Sequence, residues 1–127
     1  MPLMKIFYLC LAGAAGTLAR FGLAELVKRS FSSYMPWGTW TVNTLGCFLF
    51  GLIWVLAEER NAVSADFRFV ALVGFMGAFT TFSTYVFESV DLARSGALLY
   101  AAVNVVGQNL AGVIAALLGM AFARVLG

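Results

Sequence analysis

The chain has no histidine, and only 11% of its 127 residues are charged. Without histidine it lacks the commonest general base and a common nitrogen ligand for metals. A water-soluble domain carries about 25% charged residues. Less than half that share, with 62% hydrophobic residues and a mean hydropathy of +0.93, argues against an aqueous fold. Eight basic and six acidic residues leave a net charge of +2 with no basic cluster, too little to hold nucleic acid. The two cysteines, Cys10 and Cys47, each lie in an apolar run and read as buried free thiols, not as a disulfide framework. No phosphate loop and no thiol with a partner base is present, so nothing in the chain reads as an enzyme. No arginine-rich or cleavable leader precedes the first apolar run. That run itself contains an arginine and reads as a retained helix.

What the chain has instead is long apolar runs. A spanning helix needs about 20 mainly apolar residues. Four windows qualify, over about 4–28, 37–58, 67–93 and 96–124. They are too long for barrel strands, and only helices or closed barrels span a bilayer. The expectation is an all-α membrane protein with four transmembrane helices in a single domain over 1–127. Short loops make neighbouring helices antiparallel. Pro36 stands where a helix can start. Trp37 and Trp40 near one end of the second run, and Trp54 near the other, fit an interfacial aromatic belt. Small residues such as Gly107, Ala111 and Ala115, four apart, allow close helix packing.

With four spans, the termini and the second loop share a side. It carries Lys5, Arg60, Arg68 and Arg124, against Lys28, Arg29 and Arg94 on the other side, four against three. A bias in lysine and arginine sets orientation, and here there is almost none. Either the chain inserts both ways round, which makes an antiparallel dimer possible, or a weak bias suffices.

Polar groups inside the runs are costly and are candidates for function. Arg20 lies about two-thirds along the first run. It either snorkels to the headgroups or lines a water-filled vestibule. Asp91 and Arg94 are three apart and can pair. Asn43 sits six residues into the second helix, and Asn104 and Gln108, four apart, sit on the fourth beside Asn109. These amides either glue helices together or line a solvated path. The third run contains "GFMGAFTTFSTYVFES", from Gly74 to Ser89. Its glycines weaken the helix, and its hydroxyls can satisfy backbone groups freed by a break near 77–81. Carbonyls freed there would suit a hard cation, as in unwound transporter helices. The alternative is an unbroken, tightly packed helix. Phe82 and Tyr85, three apart, share a face. Ring faces are negative and ring edges positive, so edges attract anions. With Arg20 as the only deep fixed charge, the anion reading is the more consistent, with plain packing of Phe82 as its rival.

Arg20 in "GTLARF", Asn43 in "WGTWTVNTLG" and the G-x-x-T-T-F-S-T pattern from Gly77 to Thr84 together resemble the small bacterial fluoride channels, the Fluc or CrcB family. The likeness covers essentially the whole chain. It implies a dual-topology antiparallel homodimer in the bacterial cytoplasmic (inner) membrane, with the third helix broken at its middle. It implies a structural Na⁺ at the dimer centre, held by backbone carbonyls of Gly77 and Thr80 from both subunits. Two pores per dimer would pass fluoride out of the cytoplasm passively and relieve its toxicity. The pathway residues it implies are Phe82, Tyr85, Asn43, Thr81, Ser83 and Arg20, with Asn104, Gln108 and Asn109 on the fourth helix. Two features depart from the family pattern. Tyr85 stands where a second phenylalanine is usual, and amides stand where relatives carry a track of hydroxyls. Two rivals remain. A small multidrug-type proton-coupled exporter needs a membrane-embedded acid in the first helix, where this chain offers only Glu25 near the end. A non-transporting assembly subunit would tolerate free substitution at Phe82 and Asn43.

Overall fold

The computed structural model describes residues 2–126; Met1 and Gly127, the ends of the expected domain, lie outside the described residues. Among the described residues the chain is entirely helical, with no strand. Helix α1 is Leu3–Ser30. Helix α2 is Trp37–Trp54, continued by a wider π-type turn over Val55–Glu59. Helix α3 comprises Ala65–Phe69, a π-type stretch over Val70–Met76, and Gly77–Phe79. Helix α4 is Phe82–Arg94 and α5 is Leu98–Val125. Among the described residues, four helical stretches are long and apolar enough to cross a membrane: Leu3–Ser30, Trp37–Glu59, Ala65–Arg94 and Leu98–Val125. The third of these contains α3, the break and α4.

The break changes partners. Helix α3 packs on α1, whereas α4 packs on α5, and α2 pairs closely with α5. Val42, Leu72, Met76 and Phe79 form the buried apolar core, with Leu23, Leu49 and Ile53 against it. Its small size is expected where lipid is the solvent: side chains such as Leu18, Phe21 and Leu117 stay exposed along the helix surfaces.

Close approach between backbones holds the bundle. A Cβ at Gly119 would run into the Phe48 carbonyl, and one at Gly51 into the Ala116 carbonyl. Backbone cannot step aside as a flexible side chain can. Gly119→Ala is therefore expected to destabilise the fold by about 1–3 kcal/mol. The measurement is thermal unfolding in detergent; an unchanged midpoint would mean that α2 and α5 separate at no cost.

Two sequence expectations change. Both cysteines are free, but Cys10 is exposed on α1 and only Cys47 is partly buried. Asp91 and Arg94 form no ion pair among the described residues. The pairs that do form include three at the end shared by the termini and the second loop. They are Lys5 with Asp66 at 2.9 Å, Arg124 with Glu59 at 2.6 Å, and Arg68 with Glu58. These long-range partners share no spacing rule, so sequence could not supply them.

Candidate functional site at the helix break

Thr80 and Thr81 are both extended, at φ −84°, ψ 157° and φ −146°, ψ 115°. Extended backbone inside an apolar span leaves N–H and C=O groups to be satisfied. Asn43 of α2 satisfies Thr81 on both sides. Its Oδ1 accepts from the Thr81 N–H at 2.8 Å, and its Nδ2 donates to the Thr81 carbonyl at 3.0 Å. This reciprocal pair fixes which way the amide points. The second N–H of Asn43 donates to Gln108 Oε1 at 2.7 Å. A side-chain amide has two N–H groups, so both are occupied and neither is left for an anion.

Thr81 also caps α4. Its Oγ1 accepts from the Thr84 N–H at 3.3 Å and shares a hydrogen bond with Thr84 Oγ1 at 3.0 Å. Two helical hydrogen bonds are thereby diverted. The Thr81 N–H would reach the Gly77 carbonyl in an unbroken helix, and the Thr84 N–H would reach the Thr80 carbonyl. Asn43 takes the first and the Thr81 hydroxyl takes the second. Arg20 Nε donates to the Ala78 carbonyl at 3.0 Å, at the last turn before the break. A cation suits this negative end of a helix. Between the two sequence alternatives for Arg20, the structure adds a third role: it ties α1 to the break.

Behind the break runs a buried amide chain. Gln108 Nε2 donates to Asn104 Oδ1 at 3.0 Å, and Asn104 Nδ2 donates to Ser89 Oγ at 2.8 Å. Ser89 in turn donates to the Tyr85 carbonyl at 2.8 Å. Trp40 Nε1 donates to the same Asn104 Oδ1 at 2.7 Å. Asn104 is 0% exposed. The network joins α2, α4 and α5 and rigidifies the wall behind the break.

In front lies a groove of about 670 Å³. It brings together Asn43, Thr80, Thr81, Phe82, Tyr85, Gln108 and Asn109 from the sequence-derived set. Arg20, Ser83, Gly77 and Asn104 do not line it. Ser83 is exposed on α4, and Gly77 is exposed before the break. The Phe82 and Tyr85 rings lie 5.8 Å apart between centroids, tilted by 47°. Phe82 is 77% exposed at the groove, while Tyr85 is buried.

Sequence reasoning missed several contributors. Trp40 was assigned to a membrane belt, yet its indole anchors Asn104; its spacing of three from Asn43 on one helix was the available signal. Ser89 and the apolar groove lining of Cys47, Phe50 and Trp54 carried no motif. Thr39 donates to Glu88 at 2.9 Å, a pairing across two helices that spacing does not reveal.

Four apolar spans and a polar break facing a groove define a multi-pass helical membrane protein built around a discontinuous helix. The chain matches the family described as CrcB-like protein, Camphor Resistance (CrcB), over residues 7–120, and it belongs to that family. A relative from Nitrosococcus oceani, named fluoride-specific ion channel FluC, is 48% identical over 122 residues, 96% of this chain and 98% of the relative. A relative of the same name from Nitratidesulfovibrio vulgaris is also 48% identical, with the same coverage. One from Geobacter sp. is 39% identical over 96% of this chain and 98% of its own length.

Proposed function

We propose that this chain is a fluoride-selective channel and not an enzyme. It lets F⁻ leave the cytoplasm passively across a bacterial inner membrane and so relieves fluoride toxicity. The observation that carries this is the groove in which the Phe82 and Tyr85 rings meet the polar break. Family membership and the names of the relatives support it. Fluoride is small and strongly hydrated. Removing its water requires donors or positive ring edges at close quarters, held in place beforehand. Ring edges supply positive potential without a mobile counter-ion, and a narrow path rejects chloride by size.

The functional unit is an antiparallel homodimer with two pores. The near-balance of four against three basic residues on the two sides supports insertion both ways round. The exposed Phe82 face supports closure of each groove by a second copy, and two-fold symmetry then gives two equivalent pathways. The fluoride pathway comprises Phe82, Tyr85, Thr81 and Gln108 of the groove, and Ser83, exposed on α4 outside the groove, joins it only on the face that a second copy covers. Asn43, Asn104 and Asn109 shape it, and Arg20 contributes positive potential near its vestibule. A structural Na⁺ belongs at the dimer centre. The carbonyls of Gly77 and Thr80, whose helical N–H partners are diverted, are oxygen donors of the kind a hard cation takes. The bound ion would supply positive charge to tie the two breaks together.

The test is efflux from liposomes holding the purified protein, with valinomycin present and a fluoride electrode as the readout. Fluoride efflux is expected, and parallel liposomes loaded with chloride should release none. Folded, dimeric protein that releases neither ion would overturn the channel reading.

A further inference from the structure

Tyr85 places a phenol where a ring edge alone would serve. A free phenol O–H in the groove would be a strong donor to an anion, because a bond to a charged acceptor is roughly twice as strong as a neutral one. Conduction needs binding that is weak enough for the ion to leave. The hydroxyl is therefore a hazard to a fluoride path unless it is directed elsewhere.

The structure directs it elsewhere. The Tyr85 hydroxyl donates to the Val105 carbonyl at 3.3 Å and accepts from Asn109 Nδ2 at 2.7 Å. Asn109 Nδ2 also donates to the Val105 carbonyl at 2.7 Å. Val105 and Asn109 are one turn apart on α5, so the three groups close a triangle on one helix face. A phenol has one hydrogen. With an N–H aimed at the phenol oxygen, that hydrogen turns to the carbonyl. Both N–H groups of Asn109 are occupied as well, so its amide has none left for a passing ion.

We propose that Asn109 is a positioning residue that holds the Tyr85 O–H turned away from the groove, so that an anion meets the ring edge and not the phenol. This rests on the channel reading above. It makes the tyrosine behave as a phenylalanine, with its orientation fixed from α5.

The experiment is a double-mutant cycle on the full-length protein in liposomes, measuring fluoride flux against fluoride concentration. Tyr85→Phe keeps the ring and removes the hydroxyl, so its own flux and half-saturating concentration, whatever their values, set the reference for the second arm of the cycle. Asn109→Ala alone should lower maximal flux about tenfold, the scale of one hydrogen bond to a charged group. It should also lower the half-saturating fluoride concentration, because the released phenol now traps the ion. A merely structural defect would lower flux without tightening binding. In the Tyr85→Phe background, Asn109→Ala should have no further effect. An equal loss in both backgrounds would overturn the proposal, because Asn109 would then act on the ion or on the fold directly. No effect of Asn109→Ala in the parent would overturn it too. Absence of flux from the unmodified protein would overturn the channel reading and this inference with it, whereas flux without the predicted coupling overturns this inference alone.

Discussion

Asn43→Ala is expected to reduce fluoride flux at least about a hundredfold and to lower the unfolding midpoint in detergent. The reason lies in what Asn43 leaves behind. Its amide satisfies the Thr81 N–H, the Thr81 carbonyl and Gln108 Oε1. Alanine would strand all three in a bundle with little water. Each stranded group costs about 1–3 kcal/mol. The chain can avoid that cost only by closing the break into continuous helix or by admitting water, and either response disturbs the groove. Asn43→Asp is the sharper variant. It keeps the shape and the acceptor for the Thr81 N–H, but loses both donors and sets a carboxylate against two oxygens. It should be at least as damaging. Parent-like flux and midpoint in both variants would mean that Asn43 does not hold the break.

Phe82→Ile is expected to cut fluoride flux by about a hundredfold while leaving the fold intact. Phe82 is 77% exposed on the single chain, so its loss removes little intrachain packing. Isoleucine keeps apolar bulk but has no ring, and with the ring goes the positive edge that stands in for water around the ion. Efflux measured beside size-exclusion chromatography separates the two effects. Loss of flux from correctly sized protein supports ring-edge conduction. Unchanged flux would remove that account, and an altered size would mean that Phe82 serves association instead.

The parts legible in the sequence were those set by the lipid solvent. Four spans followed from the length of apolar runs, because a bilayer demands about 20 residues of one character. A break near 77–81 was one of two readings the glycines and hydroxyls left open, the other being an unbroken helix; the family resemblance favoured the break, and the structure places it at Thr80–Thr81. Partner choice was not legible. Asn104, Gln108 and Asn109 look alike as amides on one helix, yet Asn104 is sealed in a network, Gln108 bridges to Asn43, and Asn109 turns to Tyr85. A difference of one position rotates a side chain by about 100° around the helix, and only the packing of α4 and α2 decides which rotation is useful. Arg20 was likewise placed in the membrane by its neighbours in sequence, but its bond to Ala78 joins residues 58 apart.

The π-type stretch over Val70–Met76 has a consequence for length. A π-turn holds more residues than an α-turn. Losing one residue from this stretch can tighten a wide turn into an ordinary one while Thr80 and Thr81 keep their heading toward Asn43. The same loss in the middle of Leu98–Val125 has no such slack. Every side chain beyond it would swing by about 100°. The third span therefore carries a local reserve of chain next to its most exacting geometry, and the last span carries none.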